Sequence, residues 1–310
     1  MEQKTNSAKF SFYYLLSLVS LLFVSISSGM IIFETINKYI VDTLDQFSGQ
    51  FSQEILKFAI SSLIIAAPIF FITMRQIYKS IYSGALDKES GVRKWLTYFV
   101  LLVSAVVMIF WLIMTINSYL NGELTTKAIL KTLTVLTIAA SIFGFYLYDI
   151  RRSEVMNVKD KVVTIYAYTT LTIVIGLFIW SLFIVESPTA TRNRIHDNNV
   201  LGNFETINIA INDYYYKYKK LPADLVSLKD VSAYLNDNNL QDQATKKMFD
   251  YKVKGDNEFE LCATFLSSNK NQQIMENYLY KDRWQHDAGY QCLSQKATDL
   301  KSPMEAKIMQ

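Results

Sequence analysis

The chain has 310 residues, of which 51% are hydrophobic and 19% charged, and its formal net charge is +3. That charge is too small for a nucleic-acid binder, and no Lys/Arg run is dense enough to form a polybasic lipid site. The mean hydropathy of +0.14 averages two unlike parts, a very apolar stretch up to about residue 185 and a polar one of about 125 residues after it.

A bilayer core of about 30 Å is crossed by roughly 20 apolar residues in helix. Five segments meet that length, Phe10 to Phe33, Phe58 to Met74, Trp95 to Leu120, Thr132 to Tyr148 and Val162 to Val185. Lys57 and Lys131 flank the second and fourth and are placed to snorkel to the interface. The first segment has a weakly basic start (Lys4, Lys9) and small residues at Ser25, Ser27 and Ser28, as a signal peptide would. Its apolar run continues through Phe33, longer than a signal sequence requires, so it reads as a retained span.

Loop charge sets the orientation. Arg75, Lys79, Lys88, Arg93 and Lys94 lie between spans two and three, and Arg151, Arg152, Lys159 and Lys161 between spans four and five. Both loops, with the N-terminus, are therefore expected in the cytoplasm. Glu34, Asp42, Asp45 and Glu54 mark the first hairpin's loop as outside, and the polar C-terminal domain falls on that side too.

The hairpins share a pattern. Thr35-Ile-Asn-Lys-Tyr-Ile40, Ile55-Leu-Lys57 and Ile65-Ala-Ala-Pro-Ile-Phe70 recur as Thr115-Ile-Asn-Ser-Tyr-Leu120, Ile129-Leu-Lys131 and Ile138-Ala-Ala-Ser-Ile-Phe143. Either a duplication, giving a parallel repeat about the membrane normal, or the small alphabet of apolar spans accounts for this. Ser25, Ser28 and Gly29 in span one and Ala139, Ala140 and Gly144 in span four are expected packing faces. Pro68 is expected to kink span two.

After Pro188 the spacing of Val200 or Leu201, Phe204, Ile207, Ile211, Tyr214 or Tyr215 and Tyr218 predicts an amphipathic helix over about 192–219. Leu221-Pro222 gives it an extended exit. Phe249 to Val253 and Glu258 to Thr264 alternate as strands around a Lys254-Gly-Asp-Asn257 turn, and Gly289 to Cys292 is a third strand. The two cysteines, Cys262 and Cys292, both lie in this part, which points to one disulfide in an oxidising compartment.

Phe10 to Ile40, Arg93-Lys-Trp-Leu-Thr-Tyr-Phe99, Asn121-Gly-Glu-Leu124 and Phe143-Gly-Phe-Tyr-Leu-Tyr-Asp149 with Arg151 resemble a bacterial domain-of-unknown-function family of four-span membrane proteins. The likeness covers about residues 8–152 and implies a fold but no activity. Asn208 to Leu225, Phe249 to Phe265 and Gly289 to Cys292 resemble the globular part of pilins and pseudopilins. The chain departs from that pattern, since no Gly-Phe processing site precedes the fifth span and Pro188 interrupts the long pilin helix.

The expected fold is mainly α, a five-helix transmembrane bundle (two hairpins in parallel repeat plus one span) with a small extracytoplasmic α+β domain. The expected divisions are 1–152, 153–187, 188–298 and a disordered tail over 299–310. No Gly-rich phosphate loop, nucleophile elbow or His-Glu-x-x-His occurs. His196 and His286 lack metal-ligand spacing and read as structural or surface residues. No catalytic, cofactor or metal residue is therefore assigned, and no cofactor is expected.

Tyr214, Tyr215, Tyr218, Trp284 and His286 are the candidate interaction surface, because Tyr and Trp are favoured where proteins meet; core packing is the default for at least one face of the Tyr cluster, and Trp284 and His286 either cover the sheet, the favoured reading, or line a small ligand site. The function expected is a non-enzymatic anchor in the plasma (inner) membrane displaying this module outside. Its partners are the lipid bilayer, an envelope protein and further copies of itself, with no nucleic acid. The alternative is a channel or passive transporter with a polar path through Ser61, Ser62, Asn117 and Thr134. A membrane enzyme ranks third, for want of an acid, base or metal.

Overall fold

The computed structural model describes residues 2–40, 49–83, 91–152, 160–270 and 283–298. Asp42, Asp45, Lys88, Lys159 and the tail after Thr298 lie outside these residues. The chain divides after Val185 into two compact units. Among the described residues there are six α-helices, α1 (Glu2–Tyr39), α2 (Gln53–Tyr82), α3 (Gly91–Leu120), α4 (Thr126–Arg151), α5 (Lys161–Ile184) and α6 (Pro188–Tyr218), and three strands, β1 (Asp250–Val253), β2 (Glu258–Phe265) and β3 (Gly289–Lys296).

The N-terminal unit holds α1 to α5, all long and apolar enough to cross a membrane. Hydroxyl and carboxylate caps fix where three of them begin. Ser52 accepts from the Ile55 N–H to start α2, Thr125 from the Ala128 N–H to start α4, and Asp160 from the Val162 and Val163 N–H groups to start α5. Each satisfies backbone donors that a first turn leaves open. Gly122, at φ +73°, turns the chain between α3 and α4. α2 runs unbroken through Pro68.

α1 and α2 form an antiparallel hairpin. Glu34 near the end of α1 accepts from the Ser52 N–H at 2.7 Å, and Phe10 near its start packs with Ile77 and Ile81 near the end of α2. α3 and α4 form another, joined by a Thr115–Thr132 hydroxyl bond of 2.8 Å at one end and an Arg93–Asp149 ion pair at the other. α1 is the hub, touching α2, α3, α4 and α5. Its buried face mixes Ser17, Ser20, Ser27, Ser28 and Glu34 with Phe10, Val24 and Ile31, and Gly29 lies beside Ile138 of α4. In lipid, such faces hold helices together by close backbone approach. α5 buries only Val163, Val174, Ser181 and Ile184.

The C-terminal unit lays α6 on an antiparallel sheet of order β1-β2-β3. Pro188 starts α6 at a position where its missing N–H costs nothing, with Ser187 as N-cap. The spacing expected from sequence holds, since Val200, Phe204, Ile207 and Ile211 are buried against Phe249, Phe259, Leu261, Phe265 and Leu293. Two short 3-10 turns, Val226–Asp230 and Asp237–Asn239, follow α6 and close the core with Leu228, Leu235 and Leu240. β3 is longer than expected, eight residues rather than four, because Leu293 continues the inward face.

Candidate functional site

Three arrangements carry the unit's polar chemistry: a disulfide, a Tyr–Lys helix end and a groove. On β2, Phe259, Leu261, Ala263 and Phe265 face the core, so Cys262, one step out of phase, points to the opposite face. It stands directly across from Cys292 in the β2–β3 register, with an S–S distance of 2.09 Å. A Glu260 carboxylate oxygen lies within 4.8 Å of the two sulfurs, but sulfurs joined to each other are not the thiolates a metal requires.

The five residues expected to form one interaction surface separate. Trp284 is fully buried, its Nε1–H donating to Glu205 at 2.9 Å, its ring 5.7 Å from that of Phe204. His286 is 2% exposed and stacks on Phe265 at 3.8 Å, with Nδ1 3.3 Å from the Asp287 carbonyl. Both belong to the core and offer no ring face to a partner. The segment that carries them is stitched down by Asn269, which donates to the Trp284 carbonyl and accepts from the His286 N–H. Burial pushes the His286 imidazole below its ordinary value; the Asp287 carbonyl and the Asp197 carboxylate oppose this without cancelling it.

Tyr214 and Tyr215 pack partly against the core. Tyr218 is exposed, and Tyr216, absent from the expected set, is exposed with it. Lys217 sits 5.3 Å over the Tyr218 ring and Lys219 5.0 Å over the Tyr216 ring. The last turn of α6 is thus a basic, aromatic surface.

The groove lies where the first turns of α6 face the turn after Asp242. His196 ties the two together, with Nδ1 3.2 Å from Asp197 and Nε2 3.2 Å from Asp242. Asp197 also accepts from the N–H groups of Leu266 and Ser267, both at 2.8 Å. Burial alone would raise the Asp242 carboxyl, but the Ala244 N–H, Thr245 and His196 outweigh it and hold it below the usual carboxylate range. The sequence held no signal for this clasp, because His196 and Asp242 are 46 residues apart.

In the N-terminal unit the interior charges collect at helix ends. Asp149 accepts from Arg93 at 2.7 Å and from Tyr78 at 3.1 Å, and pairs with Arg152 at 3.2 Å. Asp149, Arg93 and Tyr78 line a small cavity of about 30 Å³ with Tyr14, Ser17 and Tyr146. Arg93 and Asp149 come from two of the four sequence stretches that carry the four-span family likeness, and the fold brings those two into contact. Of the residues expected to line a polar path, Ser62 has a buried hydroxyl. Ser61 and Asn117 are exposed, and Thr134, like Ser61, bonds to its own helix backbone.

No curated protein and no solved structure matches the chain, so the likeness of the C-terminal unit to pilin heads rests on the order of its elements alone. Residues 11–146, which span α1 to most of α4, match the model of a family described as a domain of unknown function, DUF5671.

Proposed function

We propose that the protein is a non-enzymatic membrane anchor that displays its C-terminal unit, a pilin-like module, on the outer side of the plasma membrane for docking of an envelope partner. The observation that carries this is the end of α6, where Tyr216 and Tyr218 are exposed beside Lys217 and Lys219. Rigid aromatic rings with a polar or charged rim are what interface hot spots use. The Lys/Arg-rich loops between α2 and α3 and between α4 and α5 support the orientation, and a cystine at Cys262–Cys292 fits an oxidising compartment.

The test places a photo-crosslinking residue at Tyr218 in the full chain, in intact cells. A discrete adduct, lost in Lys217→Glu/Lys219→Glu, is the expected result. In the same cells a membrane-impermeant maleimide should reach Cys262 and Cys292 only after reduction. No adduct, or labelling only after lysis, overturns the reading.

A further inference from the structure

The groove at His196 is formed by residues other than the Tyr–Lys surface. Its volume is about 360 Å³, within the range of small-molecule sites. What it would take follows from which of its groups are already matched. Asp197 is met by two backbone N–H groups and the Ser267 hydroxyl. Asp242 is met by the Ala244 and Thr245 N–H groups, and His196 faces both carboxylates.

Arg192 is different. It lines the groove, is exposed, and has no carboxylate partner among the described residues, whereas its neighbour Arg194 lies 3.5 Å from Glu186. Asn199, Gln243 and Asn203 also line the groove; the first two are exposed, and Asn203 already accepts from Asn239 at 3.3 Å. Ile195, 52% exposed, adds an apolar wall over buried Val200. One unmatched guanidinium, two amides and an aliphatic wall complement a single carboxylate joined through one or two carbons to a secondary amide and an alkyl group. A dianionic phosphate would leave charge unmatched, since Arg192 is the groove's one cation outside the His196 clasp.

We infer that this groove binds the carboxy-terminal end of a peptide, or an N-acylated amino acid carrying the same carboxylate and amide. The carboxylate takes a bidentate contact with Arg192, the amide bonds to Asn199 and Gln243, and the alkyl group lies on Ile195. Terminal carboxylate capture is an established mode of peptide recognition.

The test uses the full chain in lipid nanodiscs and saturation-transfer NMR. The probes are N-acetyl-alanyl-alanine, its C-terminal amide, N-acetylalanine and acetate. The dipeptide should bind at about millimolar concentration, and the amide and acetate at least about tenfold more weakly. Arg192→Gln should remove the difference between acid and amide, while the exposed position leaves the melting temperature unchanged. If N-acetylalanine binds as well as the dipeptide, the ligand is a free acylated amino acid; if more weakly, it is a peptide end. Equal binding of acid and amide, wild-type behaviour of Arg192→Gln, or no binding up to about 20 mM overturns the inference. None of these readouts involves Tyr216 or Tyr218, so its failure is separable from failure of the proposed docking role.

Discussion

His286 is a titratable ring placed where water does not reach, 2% exposed and stacked on Phe265. Because burial lowers its folded-state value, the unfolded chain takes the proton first as pH falls through about 6.5. Stability is therefore whole above that value and is lost as pH drops from it toward the folded value. Between pH 7.5 and 5 the C-terminal unit should lose stability, read from tryptophan fluorescence during unfolding with Trp95, Trp111 and Trp180 replaced by Phe so that Trp284 alone reports. His286→Phe, which keeps a stacked ring without a proton site, should flatten that loss. An unchanged slope would show that another group titrates. Asp242 and Asp287 are held below the carboxylate range, so their contributions fade only at lower pH. At this scale the sequence left a structural and a surface place for His286 open. Asp287 beside His286 reads as solvated, yet the Asn269 bonds that pull the segment inward connect positions 15 and 17 residues apart, a link that no local pattern announces.

At the scale of elements, helix ends decide more than helix middles. Lys219 closes α6 in the left-handed region at φ 54°, ψ 28°, its N–H bonding to the Tyr215 carbonyl at 2.8 Å. Glycine adopts that conformation without a Cβ clash. Lys219→Gly should stabilise the unit by about 0.5–1 kcal/mol, less whatever the contact over Tyr216 contributes. Thermal melting of both forms checks this, and a lower midpoint would assign the larger share to the cation–π contact. Element identity was legible throughout, because the steps of three and four from Val200 to Ile211 and the alternation of Phe259, Leu261 and Ala263 are strong periodic signals. The ends were less so. α2 begins at Gln53, five residues before the apolar run, since Ser52 caps it and Glu34 holds the Ser52 N–H. The Glu34 contact is tertiary, and only the fold supplies it.

Across the apolar unit, the Arg93–Asp149 pair joins the start of α3 to the end of α4, with side chains 5% and 6% exposed. Removing one member of such a pair strands the other. Asp149→Ala should cost about 3–5 kcal/mol, while Arg93→Met with Asp149→Leu should recover most of that loss. Melting in detergent would measure both, and equal losses for single and double variants would mean that Tyr78 and Arg152 carry the site. Both residues stood in sequence patches already marked by the family likeness, but 56 positions apart. The central place of α1 was hidden for a different reason. In lipid a helix need not segregate apolar from polar faces, so its periodicity says little about what surrounds it.

That central place has a consequence for how the protein is made. α1 leaves the ribosome before any of its neighbours, carrying Ser17, Ser20, Ser27, Ser28 and Glu34 on the face it will bury. Glu34 finds its backbone donor only when Ser52 has been synthesised, and Gly29 its neighbour only when Ile138 has. Until Ser52 follows, α1 offers Glu34 only the Asn37 amide of its own last turns, at 3.3 Å. The face that α1 buries is therefore completed in stages, by α2 first and by α4 later.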